Sequence, residues 1–464
     1  MANVDTAAGH RGTLRLAIVG AGPAGIYAAD ILLKSEHQFD ISIDLFDRLP
    51  APYGLVRYGV APDHPRIKGI IGALREVLDT GRIRIFGNVD FGTDLTLDDV
   101  KRHYNAVIFA TGAVRDADLD IPGNDAEGSF GAADFVNWYD GHPDVPRDWP
   151  LDATSVAVIG NGNVALDVAR VLAKDADDML STEIPDNVYE GLRAKAVTDV
   201  HVFGRRGPAQ VKFTPLELRE LGEVPGVDVV VYEEDFGRDP EALQLAETNK
   251  QLMVIGRITR KWREKAAAGE NTASRRIHLH FYAKPHEVLT ENGAVSGLRV
   301  ERTEPDGAGG VRGMGEFRDY PVQQVYRAVG YFGSRLPGVP FDERRGVIPN
   351  REGQVVDDDG QLAYGMYTTG WIKRGPVGLI GHTKSDAMET IGNLVRDQRN
   401  WWSPAEPEEA AIVRLLDERG VRWTDLAGWH RLDEHERGRG AVRERERIKV
   451  VERDEMLRVS RDER

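Results

Sequence analysis

Two stretches of the chain share the same pattern of apolar and polar positions. Residues 14–34 (LRLAIVGAGPAGIYAADILLK) contain a short apolar run, then a glycine cluster, then apolar residues at helical spacing. Residues 154–174 (TSVAVIGNGNVALDVARVLAK) repeat this plan. A buried strand, a tight turn and a helix in this order are typical of the opening of a βαβ unit. The pattern therefore predicts an α/β protein that contains two such units.

Two other apolar strands indicate where the chain passes between the units. Residues 104–113 (YNAVIFATGA) end in Thr-Gly before a stretch rich in Pro and Asp, and residues 323–331 (QQVYRAVGY) lead into another irregular stretch. We therefore expect the second unit to be inserted into the first domain. The predicted domains are an outer one, in two parts at 1–114 and 331–464, and an inserted one at 115–330.

The first glycine cluster is followed by a strand with an acidic end. Gly20, Gly22 and Gly25 would place backbone N–H groups at a helix N-terminus, where they can face a pyrophosphate. The next strand, residues 41–48 (ISIDLFDR), ends near Asp47, whose carboxylate can accept hydrogen bonds from both ribose hydroxyls. Glycines also close ordinary strand-to-helix turns, so it is this context that favours a dinucleotide site.

The second glycine cluster is followed by a strand with a basic end. Gly160 and Gly162 precede Ala165, a replacement of the third glycine that sites for NADP tolerate. The matching strand ends in HVFGRRGP, where Arg205 and Arg206 stand in place of an acid. A guanidinium can bind a 2'-phosphate through paired hydrogen bonds, whereas a carboxylate would repel it. The two arginines therefore favour NADP over NAD, and a solvated basic turn is the alternative.

Two different dinucleotide sites in one chain indicate a flavoenzyme, with FAD held at the first site and NADPH exchanging at the second. The predicted fold class is α/β with two Rossmann-like dinucleotide-binding domains, the NADP domain being inserted into the FAD domain. The net charge of −15 disfavours nucleic acid and anionic membranes as partners. The chain has no apolar run long enough to span a membrane, and residues 1–12 resemble no targeting segment, so we expect a cytoplasmic protein.

The chain contains no cysteine. This excludes disulfides, a thiolate nucleophile, a Cys-x-x-Cys redox pair and an iron–sulfur cluster held by cysteines. An enzyme of the thioredoxin reductase type is thereby excluded. Any one-electron acceptor with such a cluster must be a separate protein.

Three other stretches carry weaker signals. Residues 51–69 (APYGLVRYGVAPDHPRIKG) are apolar but aperiodic, and wrapping a flavin would explain why they are ordered. Residues 367–394 predict a strand, a glycine-rich turn and a helix from about residue 382 or 383, whose N-terminus could stabilise negative charge on a reduced flavin. A plain connection is the alternative for both. The stretch from residue 404 onwards is predicted to be helical with a solvated, charged face.

At several of these motifs the sequence resembles the adrenodoxin reductase type of ferredoxin–NADP reductase. The matching stretches occur in the family's order and are spread from residue 20 to about 386, so the resemblance covers nearly the whole chain: GAGPAG, PYGLVRYGVAPDHPRIK, GNGNVALDVAR, GRRGPAQVKFTPLELRE and GWIKRGPVGLIGHTKSD. The second and the last are much more specific than the glycine motifs. The resemblance implies an FAD-dependent enzyme in which NADPH gives a hydride to FAD N5 and two electrons then leave singly to a ferredoxin. That ferredoxin can feed a cytochrome P450 or another acceptor.

The resemblance also implies which residues contact the cofactors, and it implies no metal. The residues expected at FAD are Gly20, Gly22, Ala24, Gly25, Asp47, Leu55, Phe91, Trp371, Gly378, Leu379 and Ile380. The residues expected at NADP are Asn161, Gly162, Asn163, Val164, Arg205, Arg206, Glu217 and Gly378. The family commonly has Glu where this chain has Asp47, and we expect the shorter carboxylate to reach the ribose.

His64 and Glu220 match the family's polar pair, which lies close to where the nicotinamide meets the flavin. Hydride transfer needs neither a nucleophile nor a base, so we expect this pair to position a ring or tune a proton. Glu217 and Glu220 share one face of a helix that is predicted to begin near Pro215, and one of them could be merely solvated. A loop histidine bound only to backbone groups is the alternative for His64.

Two alternatives to the reductase stay open at this point. A flavin monooxygenase also needs only FAD, NADPH and oxygen, and a redox sensor would bind both cofactors without turnover. A reductase with so acidic a chain needs a local basic surface to receive an acidic ferredoxin. Arg57, Arg66 and Lys68 are candidates for that surface, with a solvated face as the equally supported alternative.

Overall fold

The computed structural model describes residues 12–237, 239, 244, 248–376 and 380–463, with the backbone alone at 380–382. One sheet of this part has the strand order β16-β17-β18-β4-β1-β2-β3, in which β18, β4, β1, β2 and β3 run parallel. The strands are β1 (Thr13–Val19), β2 (Asp40–Asp47), β3 (Ile83–Gly87), β4 (Ala106–Phe109), β16 (Asn350–Arg351), β17 (Gln354–Val356) and β18 (Leu362–Thr368).

A second sheet is fully parallel, in the order β6-β14-β7-β8-β10-β9. Its strands are β6 (Ser129–Gly131), β7 (Ser155–Ile159), β8 (Asp199–Phe203), β9 (Val227–Val231), β10 (Arg275–His280) and β14 (Gln324–Arg327). An antiparallel meander packs on one face of this sheet through a buried apolar cluster. The strands of the meander are β11 (Ala283–Glu291), β12 (Ala294–Pro305) and β13 (Val311–Tyr320).

The helices flank the two parallel sheets, and both predicted openings are present as β1-α1-β2 and β7-α7-β8. Helix α9 begins at Pro215 as predicted, and α12 begins at residue 380, slightly earlier than expected. The helices are α1 (Pro23–Lys34), α2 (Leu55–Tyr58), α3 (Pro65–Lys68), α4 (Ile70–Leu78), α5 (Leu97–His103), α6 (Ala132–Tyr139), α7 (Asn163–Ala173), α8 (Asp186–Ala194), α9 (Pro215–Leu221), α10 (Lys250–Ala267), α11 (Trp371–Arg374), α12 (Ile380–Arg396), α13 (Glu409–Glu418), α14 (Leu426–Ala441) and α15 (Arg453–Ser460).

The predicted α/β fold with parallel, Rossmann-like sheets is confirmed. No helix in the described ranges combines the length and the apolar character that crossing a membrane requires. In the parallel sheets the strands are buried almost throughout, for example in β1 and β4. This burial explains why these strands appear in the sequence as continuous apolar runs rather than as alternating patterns.

The two parallel sheets are linked by a short antiparallel ribbon. It consists of β5 (Arg115–Asp116) and β15 (Tyr331–Phe332), in which Tyr331 pairs with Asp116. Both chain crossings between the sheets therefore run side by side. This arrangement supports domain boundaries near 114/115 and 330/331, which stay a prediction.

The chain between α14 and α15 differs from the expected solvated helix. Residues 442–452, which we call the strap, are not helical, and the basic side chains of Arg445, Arg447 and Lys449 are buried. The expectation was wrong here because carboxylates of other segments pair with these cations. Glu183 lies 2.8 Å from Lys449 Nζ, for example. The helices α13, α14 and α15 are consistent with the helical part of the prediction.

Candidate active site

The first glycine turn, between β1 and α1, is closely packed on one side and open on the other. Gly20 has a φ of +114°, and a Cβ atom there would lie 2.4 Å from the Ala110 carbonyl oxygen. A Cβ at Gly25 would lie 2.1 Å from the Gly20 carbonyl oxygen. At Gly22 the nearest atom to a Cβ is the Gly54 Cα at 3.8 Å, and no side chain caps the helix. The N–H groups of this helix N-terminus can therefore receive a phosphate.

Asp47 lies at the end of β2, directly beside this turn. Its Oδ2 accepts a hydrogen bond from the Ala21 N–H at 2.7 Å, and its Oδ1 accepts one from the Leu49 N–H at 2.9 Å. Burial raises the pKa of Asp47, while these two N–H groups oppose the rise. Each carboxylate oxygen has a second lone pair, so both can still accept a ribose hydroxyl.

Trp371 and Ala24 come together through a tight corner of the chain. Gly370 has a φ of +77°, and a Cβ there would lie 2.6 Å from the Ala24 Cβ. The buried Asp386 of α12 accepts hydrogen bonds from the Gly370 N–H at 2.5 Å and from the Thr369 hydroxyl at 3.1 Å. Asp386 thereby holds the start of α11 against the N-terminal turn of α1.

Leu55 and Phe91, which are also expected at FAD, follow strands β2 and β3 of the same sheet. Leu55 is half-buried at the start of α2, and Phe91 is buried after β3 with its ring 5.4 Å from that of Phe109. Because β1, β2 and β3 are parallel, the segments that follow them share one edge of the sheet. The expected residues Gly378 and Leu379 lie outside the described residues, as does the side chain of Ile380.

The second glycine turn, between β7 and α7, has the same construction. Gly160 has a φ of +147°, and a Cβ there would lie 2.2 Å from the Ala328 carbonyl oxygen. A Cβ at Gly162 would meet no atom within 4 Å, and no side chain caps α7. Asn163 Oδ1 accepts a hydrogen bond from the Thr214 N–H at 3.0 Å, which links this turn to the start of α9. The N-terminus of α7 is thus a second candidate site for a pyrophosphate.

Arg205 and Arg206 follow β8 at the same edge of the second sheet. Arg205 is exposed and Arg206 is half-buried. The Arg206 Nε is buried and has no hydrogen-bond partner among the described residues. A buried donor without a partner costs free energy unless a ligand satisfies it. The two turns therefore differ as the sequence predicts, with a carboxylate beside the first and guanidinium groups beside the second.

Two further buried polar atoms at these turns have no hydrogen-bond partner within the described ranges. They are Thr111 Oγ1, next to the Gly20 turn, and Asn161 Nδ2, within the second turn. Together with Arg206 Nε they lie where a dinucleotide would supply phosphate or hydroxyl oxygens. The residues that line both turns therefore fit bound dinucleotides.

Val164 of α7, expected at NADP, and Trp371 of α11, expected at FAD, pack against the same small apolar cluster. That cluster consists of Ala113, Ala133 and Tyr331. Since Tyr331 belongs to the ribbon between the sheets, the two candidate sites face each other at the crossing of the chain.

His64 lies where the part of the molecule built on the first sheet meets the inserted part built on the second sheet. We call these parts the two halves. Its Nδ1 lies 3.0 Å from Glu220 Oε2, and its Nε2 lies 2.7 Å from Asp167 Oδ1 and 3.1 Å from Glu217 Oε2. His64 belongs to residues 51–69, whereas the three carboxylates come from α7 and α9. The structure thus brings the predicted pair of His64 and Glu220 into contact. Glu217 contacts His64 as well, so neither glutamate is merely solvated.

The carboxylates around His64 control its charge. Burial by itself lowers the pKa of His64, but the hydrogen bonds to Asp167 and Glu217 outweigh burial and raise the pKa to about 10. Burial also raises the pKa of Glu220, against the lowering effect of the positive His64. At neutral pH His64 is therefore an imidazolium held between carboxylates.

Arg170 of α7 also belongs to this cluster. It binds Asp63 through two hydrogen bonds of 2.9 and 2.8 Å, and its Nη2 lies 2.9 Å from Asp167 Oδ1. Burial favours the neutral form of Asp63, but the bonds from Arg170 lower the pKa of Asp63 below its usual range. Asp63 immediately precedes His64, so α7 holds the loop on which His64 sits.

Sequence reasoning missed Asp63, Asp167 and Arg170. The available signal was the placement of Asp167 and Arg170 three residues apart inside an otherwise apolar helix, NVALDVARVLA. Charged residues buried in such a helix need partners, and spacing of three places them on one face.

The spacing of His64, Glu217 and Glu220 also meets one requirement of a metal site. One ligand atom from each lies within 4.8 Å of the others. Arg170 Nη2, however, lies only 2.9 Å from His64 Nε2, and its charge would repel a cation there. The described geometry therefore favours a network of ion pairs.

The structure corrects the candidate docking surface. Arg57 is 2% exposed and pairs with the buried Glu436 at 2.5 Å, and Lys68 pairs with Glu183 at 2.7 Å. Both side chains are occupied within the protein and cannot receive a partner. Of the three candidates only Arg66 is exposed.

Comparison with known proteins shows which family of proteins this chain resembles. The family model for pyridine nucleotide-disulphide oxidoreductases matches residues 14–201. The NADPH-ferredoxin reductase FprA of Mycobacterium tuberculosis is 39% identical over 462 residues, which cover 96% of this chain and 98% of that protein. The mitochondrial NADPH:adrenodoxin oxidoreductase of Bos taurus is 37% identical, covering 96% of this chain and 92% of that protein. The structure of M. tuberculosis FprA in complex with NADPH aligns with a TM-score of 0.88 at 37% identity, covering 97% and 99% of the two chains.

Proposed function

Because the chain belongs to the family of NADPH-ferredoxin and NADPH:adrenodoxin reductases, we propose that it is an FAD-dependent ferredoxin–NADP reductase. It takes electrons from NADPH and passes them to a ferredoxin, an iron–sulfur protein. One observation carries this proposal at the level of the residues: the strands that follow two similar glycine turns end beside opposite charges, Asp47 after the first turn and Arg206 after the second. The absence of cysteine from the chain agrees with an acceptor cluster on a separate protein.

The residues of the first turn would hold FAD. The N-terminus of α1 at Gly22 offers N–H groups to the pyrophosphate, and Asp47 offers carboxylate oxygens to the ribose. Trp371, held by Asp386 and Gly370, would border the same cofactor. When bound, FAD supplies the chemistry that connects a two-electron donor with a one-electron acceptor.

The residues of the second turn would hold NADPH. The open N-terminus of α7, between Asn161 and Val164, suits the pyrophosphate, and Arg205 with Arg206 suits the 2'-phosphate. Glu217 belongs to α9, whose start is linked to this turn, and its carboxylate contacts His64. The preference for NADPH over NADH would then come from the positive charge of the two arginines that follow β8.

His64 and Glu220 would act by position and charge. The imidazolium of His64 bridges α7 and α9 to the segment that carries it, so it fixes how the two halves face each other. Neither side chain needs to form a bond for a hydride to move. The domain boundaries and this site assignment are supported by the contacts described above and stay proposals.

The proposal extends to the acceptor that the ferredoxin supplies and to the location in the cell. A cytochrome P450 is one acceptor that a ferredoxin can supply. The relatives include mycobacterial and mitochondrial enzymes, so the expected cytoplasmic location stays a proposal that cell fractionation tests.

The experiment that tests the proposal uses the purified flavoprotein in a stopped-flow instrument. Mixing with NADPH should bleach the flavin absorbance much faster than mixing with NADH at the same concentration. Reduction of cytochrome c should then accelerate when a ferredoxin is added, and the same mixture without the flavoprotein is the control. Slow bleaching by NADPH, or oxygen consumption that depends on an organic substrate, would contradict the reductase function and favour a monooxygenase.

A further inference from the structure

The basic turn at residues 204–207 has all of its carbonyl groups bound by other parts of the inserted domain. The Gly204 carbonyl accepts a hydrogen bond from the Ala283 N–H at 3.0 Å, and the Arg206 carbonyl accepts one from the Tyr282 N–H at 3.2 Å. The Gly207 carbonyl accepts one from the Gln210 N–H. The peptide groups of this turn therefore have one defined orientation, which is set from outside the turn.

The Arg205 carbonyl is bound by a side chain, unlike the other three. Thr303 Oγ1 of β12 donates a hydrogen bond of 2.7 Å to it. Thr303 is fully buried, so no water can replace its hydroxyl group without a cavity. Thr303 is thus, among the residues that the structure describes, the side chain whose hydroxyl group fixes the peptide between the two arginines.

The segment that binds the turn is itself rigidly held. Arg302 donates a hydrogen bond to the Phe281 carbonyl at 2.9 Å and pairs with Asp235, which accepts one from the Phe281 N–H at 2.9 Å. Arg302 and Asp235 are both buried. The next residue, Tyr282, has a φ of +52°, a conformation that a tyrosine adopts only when its surroundings enforce it.

The turn also packs closely on Tyr282. A Cβ at Gly207 would lie 2.1 Å from the Tyr282 hydroxyl oxygen, so any other residue there would displace the Tyr282 ring. The Thr303 N–H in turn binds the Tyr282 carbonyl at 2.9 Å. β12 and the 281–283 segment therefore form one platform beneath the arginine turn, with Thr303 at its centre.

The platform keeps the Arg205 carbonyl oxygen from turning toward a bound anion. A carbonyl oxygen carries partial negative charge and would repel a phosphate if its peptide turned toward the ligand. With the Arg205 carbonyl bound to Thr303, the peptide cannot turn in this way. The buried Arg206 Nε is left without a partner in the part of the chain that the structure describes, and so is available to a ligand.

We propose that Thr303 is a positioning residue that sets the preference for a 2'-phosphorylated dinucleotide, because its hydroxyl group holds the Arg205–Arg206 peptide in the phosphate-binding orientation. This inference rests on the proposed role of Arg205 and Arg206 at the 2'-phosphate. It assigns part of the cofactor preference to the meander, which lies outside the glycine turn and the strand that follows it.

The test is isothermal titration calorimetry of the purified flavoprotein with two probes, 2',5'-ADP, which carries the 2'-phosphate, and 5'-ADP, which lacks it. Thr303→Val removes the hydroxyl group at nearly constant volume. It should weaken 2',5'-ADP binding about fivefold, the effect of one buried hydrogen bond, and leave 5'-ADP within about twofold. Thr303→Ser keeps a hydroxyl group and should restore most of the affinity. The ratio of KM values for NADPH and NADH should follow the same order.

Thr259→Val is the matched control. Thr259 is also buried, and its hydroxyl group binds the Ile255 carbonyl within α10 rather than a carbonyl group of the basic turn. It should leave both probes unchanged. If Thr303→Val does not fold, Thr303→Ala carries the same comparison with a smaller side chain.

The outcomes separate this inference from the function on which it rests. Equal weakening of both probes, or no change in 2',5'-ADP binding for Thr303→Val, overturns the role of Thr303 while leaving the arginines in place. If the double variant Arg205→Ala/Arg206→Ala also binds 2',5'-ADP as tightly as the unchanged protein, the phosphate site itself is wrong. Selective loss with Thr303→Val and recovery with Thr303→Ser supports the proposal.

Discussion

The His64 Nε2 and the Arg170 Nη2 atoms lie 2.9 Å apart, although both side chains carry positive charge. Such a contact is stable only because carboxylates surround it. Asp167 binds both cations, with its Oδ1 2.7 Å from His64 Nε2 and 2.9 Å from Arg170 Nη2. Asp63 binds the other side of Arg170. The cluster therefore fixes the His64 loop to α7 and keeps the imidazole charged at the junction of the two halves.

The first prediction concerns the pKa of His64. It should titrate near pH 10, because Asp167 and Glu217 outweigh the effect of burial. Since this value lies above the ordinary 6.5, the cluster stabilises the folded protein fully below about pH 6.5, and this contribution is lost as the pH rises through about 10. NMR of ¹³C-labelled histidine, with His64→Gln to assign the signal, measures the titration.

Another histidine and a variant provide the controls for this titration. Burial, with the charge of His278, lowers the pKa of His201 to about 4, so its signal should stay constant across the range in which His64 changes. Asp167→Asn should lower the pKa of His64 by about 1 to 2, since it removes the carboxylate nearest to Nε2. A His64 signal that titrates near 6.5 in the unchanged protein would contradict the described cluster.

The second prediction concerns the two arginines after β8. Arg205→Ala/Arg206→Ala should raise the KM for NADPH about a hundredfold, because two charge-assisted contacts to a phosphate are lost. The KM for NADH should change by less than about threefold, and the flavin content should stay constant. Steady-state kinetics with ferricyanide as the acceptor measure both KM values without a ferredoxin, and the ratio of flavin to protein absorbance measures the flavin content.

The chain offers a matched control for this variant. Arg344 and Arg345 are likewise adjacent and precede a glycine, but both are exposed, and they lie in the sequence FDERRGV outside the second sheet. Arg344→Ala/Arg345→Ala changes the net charge equally and should leave both KM values unchanged. An equal loss of NADPH and NADH affinity in the first variant would mean that Arg205 and Arg206 contribute only surface charge.

Local features of the fold could be predicted from the sequence because they depend on neighbouring residues. The turn at Gly20 follows a buried strand and precedes a helix, and Gly25 is required by a contact within the same turn, with the Gly20 carbonyl. The charge of the strand ends, at Asp47 and Arg206, is visible in the same way. These signals sufficed for the fold class and for the two kinds of dinucleotide site.

The remaining features depend on pairs of residues that are far apart in the sequence. Arg170 and Asp63 are separated by 107 positions, so neither shows its partner in any local pattern. Lys449 and the Asp140 carbonyl to which it donates are separated by 309 positions. For this reason the strap appeared to be a solvated face, and Arg57 and Lys68 appeared to be available for docking. Buried charge is the property that a local sequence pattern predicts least well.

The third prediction separates two glycines of the first turn. Gly22→Ala should fold normally, because its Cβ would lie 3.8 Å from the nearest atom and Gly22 has a φ of −78°. It should nevertheless lose more than about tenfold in FAD affinity, since a methyl group would keep the pyrophosphate from the backbone. The ratio of flavin to protein absorbance after purification measures this loss.

Gly25→Ala is the comparison for that variant. Its Cβ would lie 2.1 Å from the Gly20 carbonyl oxygen, so the fold itself has to give way. This variant should lose thermal stability by circular dichroism as well as flavin. If Gly22→Ala retained its full flavin content, the open face of the turn would not be the site of the pyrophosphate.

The last prediction concerns the strap, whose Lys449 joins the two halves of the molecule. Lys449 Nζ donates hydrogen bonds to the Arg57 carbonyl at 2.7 Å and to the Asp140 carbonyl at 3.0 Å, and it lies 2.8 Å from Glu183. Lys449→Met removes one member of this buried network and takes the Lys449 donor from both carbonyl groups, while Glu183 keeps its pair with Lys68. We expect the free energy of unfolding in urea to fall by about 3 kcal/mol. Arg443→Ala, on the same strap, removes an exposed cation whose partner Asp186 is only half-buried, and should cost less than about 1 kcal/mol. Equal and small losses in both variants would show that the strap does not hold the two halves together.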